Sequence, residues 1–198
     1  MIKNVIFDIG NVLLDFCWKD HIARFGFQGE KADRIAQAMM LGPIWPKLDL
    51  GLESDEDILE QFVAHTPELE QEIRLVFSDL STIVREYEGS VDWIESLKAR
   101  GYHTYYLSNY GERISREASK ELSFLPHMDG GIMSYTVHLA KPDPAIYQTL
   151  LDRYGLKAEE CVFLDDTVRN VEAAQALGIA GIVVTSQEQA KKELETLL

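Results

Sequence analysis

The stretch Lys3-Asn4-Val5-Ile6-Phe7-Asp8-Ile9-Gly10-Asn11 decides the fold. Its first half is short, apolar and β-branched, which reads as a buried strand. Its second half breaks at once into Asp, Gly and Asn, the residues of a sharp turn. A carboxylate placed where a buried strand ends in a turn sits at the edge of a sheet, where backbone can approach a ligand closely.

Downstream, the same sentence structure repeats. His103 to Leu107 reads as a strand ending in Ser108-Asn109, Gly131 to Tyr135 as another, Cys161 to Leu164 as one ending in Asp165-Asp166, and Ile179 to Val184 as the last. Helices separate them: Ser90 to Ala99, Glu112 to Glu121, Pro144 to Tyr154, Val168 to Leu177 and Gln187 to Leu197. Alternating strands and helices predict an α/β fold, a Rossmann-like parallel sheet with helices on both faces. Between the first and second strands, Lys19 to Glu86 shows no strand signal, only helical stretches with breaks. Ser54 before three acids and Thr66-Pro67 both start helices there. That block is too long for one crossover. It predicts a small helical cap at residues 15–88, inserted into a core of residues 1–14 and 89–198.

Composition narrows the function classes. The net charge of −14 opposes nucleic-acid binding and docking on an anionic membrane, both of which need a positive field. No apolar run approaches the roughly 20 residues that span a bilayer, and the first residues do not resemble a signal peptide. Cys17 and Cys161 stand alone, with no disulfide or zinc spacing, so a cytoplasmic location is expected. A monomer or homodimer acting on a small molecule fits this profile.

A parallel sheet would gather Asp8, Ser108-Asn109, Asp165-Asp166 and the Lys141-Pro142-Asp143-Pro144 segment at one edge. Each alone is as readily a cap or turn; together they are a site. Three carboxylates in a small volume need cations. One divalent ion and the Lys141 ammonium bring the formal charge to zero, and an all-oxygen donor set favours Mg²⁺. Asp8 is then positioned to attack phosphorus. The five histidines show no ligand spacing.

In this order and context the motifs resemble the haloacid dehalogenase-like hydrolases, in a capped phosphatase branch. The motifs are Asp8-Ile9-Gly10-Asn11-Val12, Ser108, Lys141, and Asp165-Asp166 with Asn170. The Asp-x-Gly-Asn-Val form is similar to a subgroup that includes an α-D-glucose-1-phosphate phosphatase. The resemblance implies sheet order 5-4-1-2-3 and an aspartyl-phosphate mechanism on small phosphorylated metabolites such as sugar phosphates. It implies Asp8 as nucleophile; Asp8, the Gly10 carbonyl and Asp166 as Mg²⁺ ligands; and Ser108, Asn109, Asn11 and Lys141 as phosphoryl contacts. Asp165 and Asn170 would orient the acidic loop and Lys141.

One departure stands out. Where that family's phosphatases carry a general acid, two residues after the nucleophile, this chain has Gly10. Three readings follow: a slow enzyme, a substrate with a good leaving group such as a sugar 1-phosphate, or a replacement acid from Asp15 or the cap. A phosphate-binding protein without turnover is the rival from another class. A metal-independent dehalogenase is a weaker one, since that branch has an aromatic residue at the Gly10 position. Phe16, Trp18, Trp45, Lys47 and Asp49 are the candidate cap contacts to the substrate.

Overall fold

The computed structural model describes residues 1–198. Five strands form one parallel sheet: β1 (Asn4–Phe7), β4 (His103–Ser108), β5 (Gly130–Met133), β6 (Cys161–Asp165) and β7 (Ala180–Val183), in the order β5-β4-β1-β6-β7. Counting these five alone in chain order, the sheet reads 5-4-1-2-3 from one side. Every pairing is parallel, with Phe7 beside Tyr106 on one flank and Leu164 on the other. Asp8, Ser108 and Asp165 therefore leave the sheet at one edge.

The strand period of two splits the side chains between two cores. Val5, Phe7, Val162 and Leu164 face the larger one, where α6 (Ser90–Ala99) contributes Trp93, Ile94 and Leu97 and α10 (Gln187–Glu195) contributes Ala190 and Leu194. Ile6, Leu107, Cys161 and Phe163 face the smaller one, covered by Ile146, Tyr147, Leu150 and Leu151 of α8 (Pro144–Tyr154) and Ala174 of α9 (Val168–Ala176). The edge strand β5 lies close under its neighbour: a Cβ added at Gly131 would sit 2.4 Å from the Tyr106 carbonyl oxygen.

Between β1 and α6 the chain forms α1 (Trp18–Arg24), α2 (Gly29–Ala38), α3 (Trp45–Leu50), α4 (Asp55–His65) and α5 (Glu70–Phe77). Ser54 caps α4 by accepting from the Asp57 amide at 3.1 Å. Two short strands not expected from the sequence flank this block, β2 (Leu14–Phe16) and β3 (Val84–Glu86), paired antiparallel. The helical block shares its core with the sheet: Ile35, Trp45, Phe62 and Phe77 belong to the same apolar cluster as Phe7, Leu13 and Val84. The predicted helix from Glu112 stops early, as α7 (Glu112–Glu117) followed by a 3-10 turn. No helix is long and apolar enough to cross a membrane.

Candidate active site

The turn after β1 is built to expose backbone. The amides of Val12, Leu13 and Leu14 all point at the Ile9 carbonyl, at 3.4, 2.9 and 3.1 Å, so no protein donor reaches the Gly10 carbonyl. Asn11 takes the left-handed conformation at φ 56°, which Asn tolerates better than most residues. Its side-chain amide donates to Asp166 Oδ2 at 2.8 Å and ties this turn to the one after β6.

Asp8 is buried and its two oxygens differ. Oδ1 accepts from the Ile9 amide at 2.7 Å and the Ser108 hydroxyl at 2.7 Å, and pairs with Lys141 Nζ at 2.9 Å. Oδ2 has no donor within the protein. Lys141, also buried, reaches Asp165 Oδ2 at 2.6 Å. Asp165 is saturated: the Thr167 amide meets its Oδ1 at 2.8 Å, and the Asn170 amide meets both oxygens at 3.0 and 3.1 Å. Burial pushes the Asp8 carboxyl above its ordinary range against the pull of Lys141, while the charge of Asp165 pushes it further up. Burial also works against the charge on Lys141, but the carboxylates of Asp8 and Asp165 overcome it and raise its pKa.

One carboxylate oxygen each from Asp8, Asp165 and Asp166 can be chosen so that all lie within 4.8 Å of one another. Because Asp165 is spent on Lys141, Thr167 and Asn170, the donors left for a cation are Asp8, half-buried Asp166 and the Gly10 carbonyl. They are all hard oxygens, which fits a divalent cation such as Mg²⁺. The same residues line a cavity of about 230 Å³ together with Asn11, Ser108, Asn109 and Thr167; Leu14, Phe16, Trp45, Asp49, Val84, Tyr110 and Ile114 complete its lining. Burial, then the nearby Asp8 charge, pushes the Asp49 carboxyl up to about 7.

Residues 2–178 match the family described as haloacid dehalogenase-like hydrolase. The chain belongs to that family.

Among relatives, the chain is 33% identical to acyl-CoA dehydrogenase family member 10 of Mus musculus, an alignment that covers 99% of this chain and 19% of that protein. This chain therefore spans about a fifth of that relative's length. It is 25% identical to a sesquiterpene phosphatase of Aspergillus oryzae, over 99% of this chain and 96% of that one. Its fold matches a HAD family enzyme of Bacteroides thetaiotaomicron, solved with magnesium and inorganic phosphate, at a TM-score of 0.72 and 22% identity. That match covers 94% of this chain and 96% of the other.

Against this HAD-family frame, the structure brings Asp8, Gly10, Asn11, Ser108, Lys141, Asp165, Asp166 and Asn170 together at the sheet edge. Two expected phosphoryl contacts are otherwise engaged. The Asn109 side chain clamps the Lys141 backbone, donating to its carbonyl at 3.0 Å and accepting from its amide at 2.7 Å. The Asn11 amide is on Asp166, as described. Of the five candidate cap contacts, Phe16, Trp45 and Asp49 line the cavity; Trp18 and Lys47 do not, and neither does the candidate acid Asp15. Asp15 faces away, its Oδ2 accepting from the Cys17 thiol at 3.2 Å, because the β2–β3 register sets it beside Arg85. Lys47 is exposed and reaches Gln61 at 2.6 Å and Glu53 at 3.4 Å. Trp18 lies under the ammonium of Lys19.

Thr167, Tyr110 and Ser134 also belong to the site and lie outside the motifs. Thr167 follows the acidic pair directly, and its place in the turn is its one local signal. Ser134, whose hydroxyl accepts from the Tyr110 amide at 2.9 Å and donates to the Asp49 carbonyl, carries no such signal.

Proposed function

We propose that this chain is a Mg²⁺-dependent phosphomonoester hydrolase for small phosphorylated metabolites, sugar phosphates among them, working through an aspartyl phosphate. The observation that carries the reading is the asymmetry of Asp8. Ile9, Ser108 and Lys141 hold one oxygen still, and the other has free lone pairs. A buried, oriented carboxylate of this kind is a nucleophile whose reorganisation has already been done by the fold.

A divalent ion held by Asp8, the Gly10 carbonyl and Asp166 would screen the repulsion between a carboxylate and a phosphate dianion. The residues do the rest. Lys141 balances charge on Asp8 and on the phosphoryl group. Asp165 and Asn170 fix the Lys141 ammonium, and Asn109 fixes its backbone. The Ser108 hydroxyl, which donates to Asp8 Oδ1 at 2.7 Å, would turn to donate to an oxygen of the incoming phosphoryl group. The helical block covers the cavity, where Phe16 and Trp45 offer flat apolar surface to a hydrocarbon leaving group or the C–H face of a sugar.

The test is phosphate release from a metabolite panel and from p-nitrophenyl phosphate, with and without Mg²⁺. Turnover is expected with Mg²⁺, lost to a chelator, and abolished by Asp8→Asn in a folded protein. Near-normal turnover by Asp8→Asn overturns the assignment. Gly10 favours a second reading, phosphate binding without turnover; phosphate trapped on Asp8 and never released would support it. Dehalogenation that survives a chelator would support the third.

A further inference from the structure

Gly10 leaves the nucleophile's own turn without an acid to protonate a departing alcohol. In-line displacement puts the leaving oxygen opposite the attacking one, on the cavity wall away from the strand ends. That wall is Phe16, Trp45, Asp49, Val84, Tyr110 and Ile114. Only Asp49 and Tyr110 carry an acidic side-chain proton there, since the Trp45 indole N–H is far too weak an acid, and the Tyr110 hydroxyl is buried with no partner. Asp15, the other candidate, is turned toward Cys17. Asp166 belongs to the metal end and is held by Asn11 and Thr167.

The placement of Asp49 is built rather than incidental. Three consecutive carbonyls at the end of α3 meet the core loops. The Leu48 carbonyl abuts Gly111, 3.4 Å from where a Cβ there would stand. The Asp49 carbonyl accepts from the buried Ser134 hydroxyl, and the Leu50 carbonyl meets His138 Nδ1 at 2.9 Å. Gly51 then turns left-handed at φ 62° against Tyr135, where a Cβ would come 2.9 Å from the Tyr135 Cβ. The backbone of Asp49 is thus pinned to the core, while its carboxylate makes no hydrogen bond or ion pair within the protein. The charged groups acting on it are Asp8, at the end of β1, and Lys141, in the loop before α8.

We propose that Asp49 is the general acid and base that replaces the missing residue at position 10, a reading that rests on the phosphomonoesterase function above. Asp8 forms the bond to phosphorus, the bond from phosphorus to the leaving oxygen breaks, and the Asp49 carboxyl gives its proton to that oxygen to release the alcohol. The Asp49 carboxylate then takes a proton from water as the water oxygen attacks the phosphorus of the aspartyl phosphate. Inorganic phosphate leaves and Asp8 is regenerated.

The experiment compares wild type with Asp49→Asn on p-nitrophenyl phosphate, whose leaving group needs no proton, and on an alkyl phosphate, whose leaving group does. Steady-state and rapid-quench rates are both read with Mg²⁺ present, and thermal unfolding confirms that the variant folds. Asp49→Asn should lose about 10²- to 10⁴-fold on the alkyl phosphate. On p-nitrophenyl phosphate it should keep a fast first release of nitrophenolate and then stall, because water is no longer activated. Equal slowing of both first releases, or unchanged turnover of the alkyl phosphate, overturns the role of Asp49 and leaves the phosphatase reading standing. A wild-type protein inactive on both substrates takes down both.

Discussion

Magnesium held at the acidic cluster should stabilise this protein against heat, by an amount set by how far the ion exceeds its dissociation constant. Carboxylate oxygens of Asp8, Asp165 and Asp166 lie within 4.8 Å of one another, and two unit charges at that separation repel by about 3.5 kcal/mol at an effective dielectric near 20. Lys141 pairs with Asp165 and with Asp8, which leaves Asp166 as the carboxylate beside Asp8 with no cationic partner. A cation held between them converts that repulsion into binding energy that the unfolded chain does not share. At 100 times its dissociation constant the ion adds about 2.7 kcal/mol. In a chain of this length each kcal/mol moves Tm by about 2–4 °C, so the expected shift is about 5–11 °C. The assay is thermal unfolding over a MgCl₂ titration with NaCl at matched ionic strength as control. Asp166→Asn should lose most of the shift, and without the ion it should unfold no lower than wild type, since it too removes a like charge from the cluster. Asp8→Asn should unfold at a higher temperature than wild type without the ion, since it removes a buried like charge. A shift no larger than that from NaCl, or one of the same size in wild type and Asp166→Asn, refutes the assignment of the cation to these oxygens.

Gly10→Asp should be tolerated, because a Cβ at that position meets nothing within 4 Å, and should raise turnover of alkyl phosphates in the Asp49→Asn background by up to about 10²-fold; steady-state kinetics check it. His21 is fully buried between Thr82 and the Val76 carbonyl, and burial lowers its pKa below the ordinary 6.5. The unfolded chain therefore takes up a proton below pH 6.5 that the folded one refuses. Its contribution to stability is full above that pH and declines as pH falls toward the folded value, by at most about 1.4 kcal/mol per pH unit. The stability difference between wild type and His21→Gln should shrink in that way between pH 7 and 5; denaturant midpoints of the two proteins read it, because the opposite contributions of the raised Asp8 and Asp49 carboxyls are common to both and cancel in the difference. Gly131→Ala should cost about 3 kcal/mol, because its new Cβ meets backbone at the Tyr106 carbonyl, which cannot swing aside; urea unfolding reads it.

The sheet and the gathering of Asp8, Asp165 and Asp166 at its edge were legible because each depends on a local pattern. Val5-Ile6-Phe7 and Val162-Phe163-Leu164 are β-branched or aromatic runs that end in Asp, and a parallel sheet places such ends side by side whatever else the chain does. Less legible was whatever depends on a partner distant in sequence. Leu14-Asp15-Phe16 and Val84-Arg85-Glu86 are too short to announce strands, and only their pairing settles that Asp15 points away from the cavity. Asn109 looked like a phosphate ligand because it follows Ser108; its amide instead closes a pair of hydrogen bonds on Lys141. The seat of Asp49 depends on the carbonyls of Leu48, Asp49 and Leu50, and backbone groups carry no residue signature.

The two halves of the site are coupled through one side chain. Ser134 accepts from the Tyr110 amide in the loop that follows the Ser108-Asn109 pair, and it donates to the Asp49 carbonyl of the helical block. One buried hydroxyl thus joins the phosphoryl-binding loop to the helix bearing the proposed acid. An acid on the nucleophile's own turn would be present whether or not the helical block lay over the cavity. An acid on α3 is present only while α3 is docked. On the Asp49 proposal, proton transfer and exclusion of bulk water are therefore one event, and the cavity filled by substrate is the same one whose closure supplies the proton. Ser134→Ala removes the shared hydroxyl and touches neither metal donors nor nucleophile. It should slow alkyl phosphate turnover more than the first release of nitrophenolate, in the same direction as Asp49→Asn and by a smaller factor. Equal slowing of the two would mean that the docking of α3 matters for binding and not for the proton.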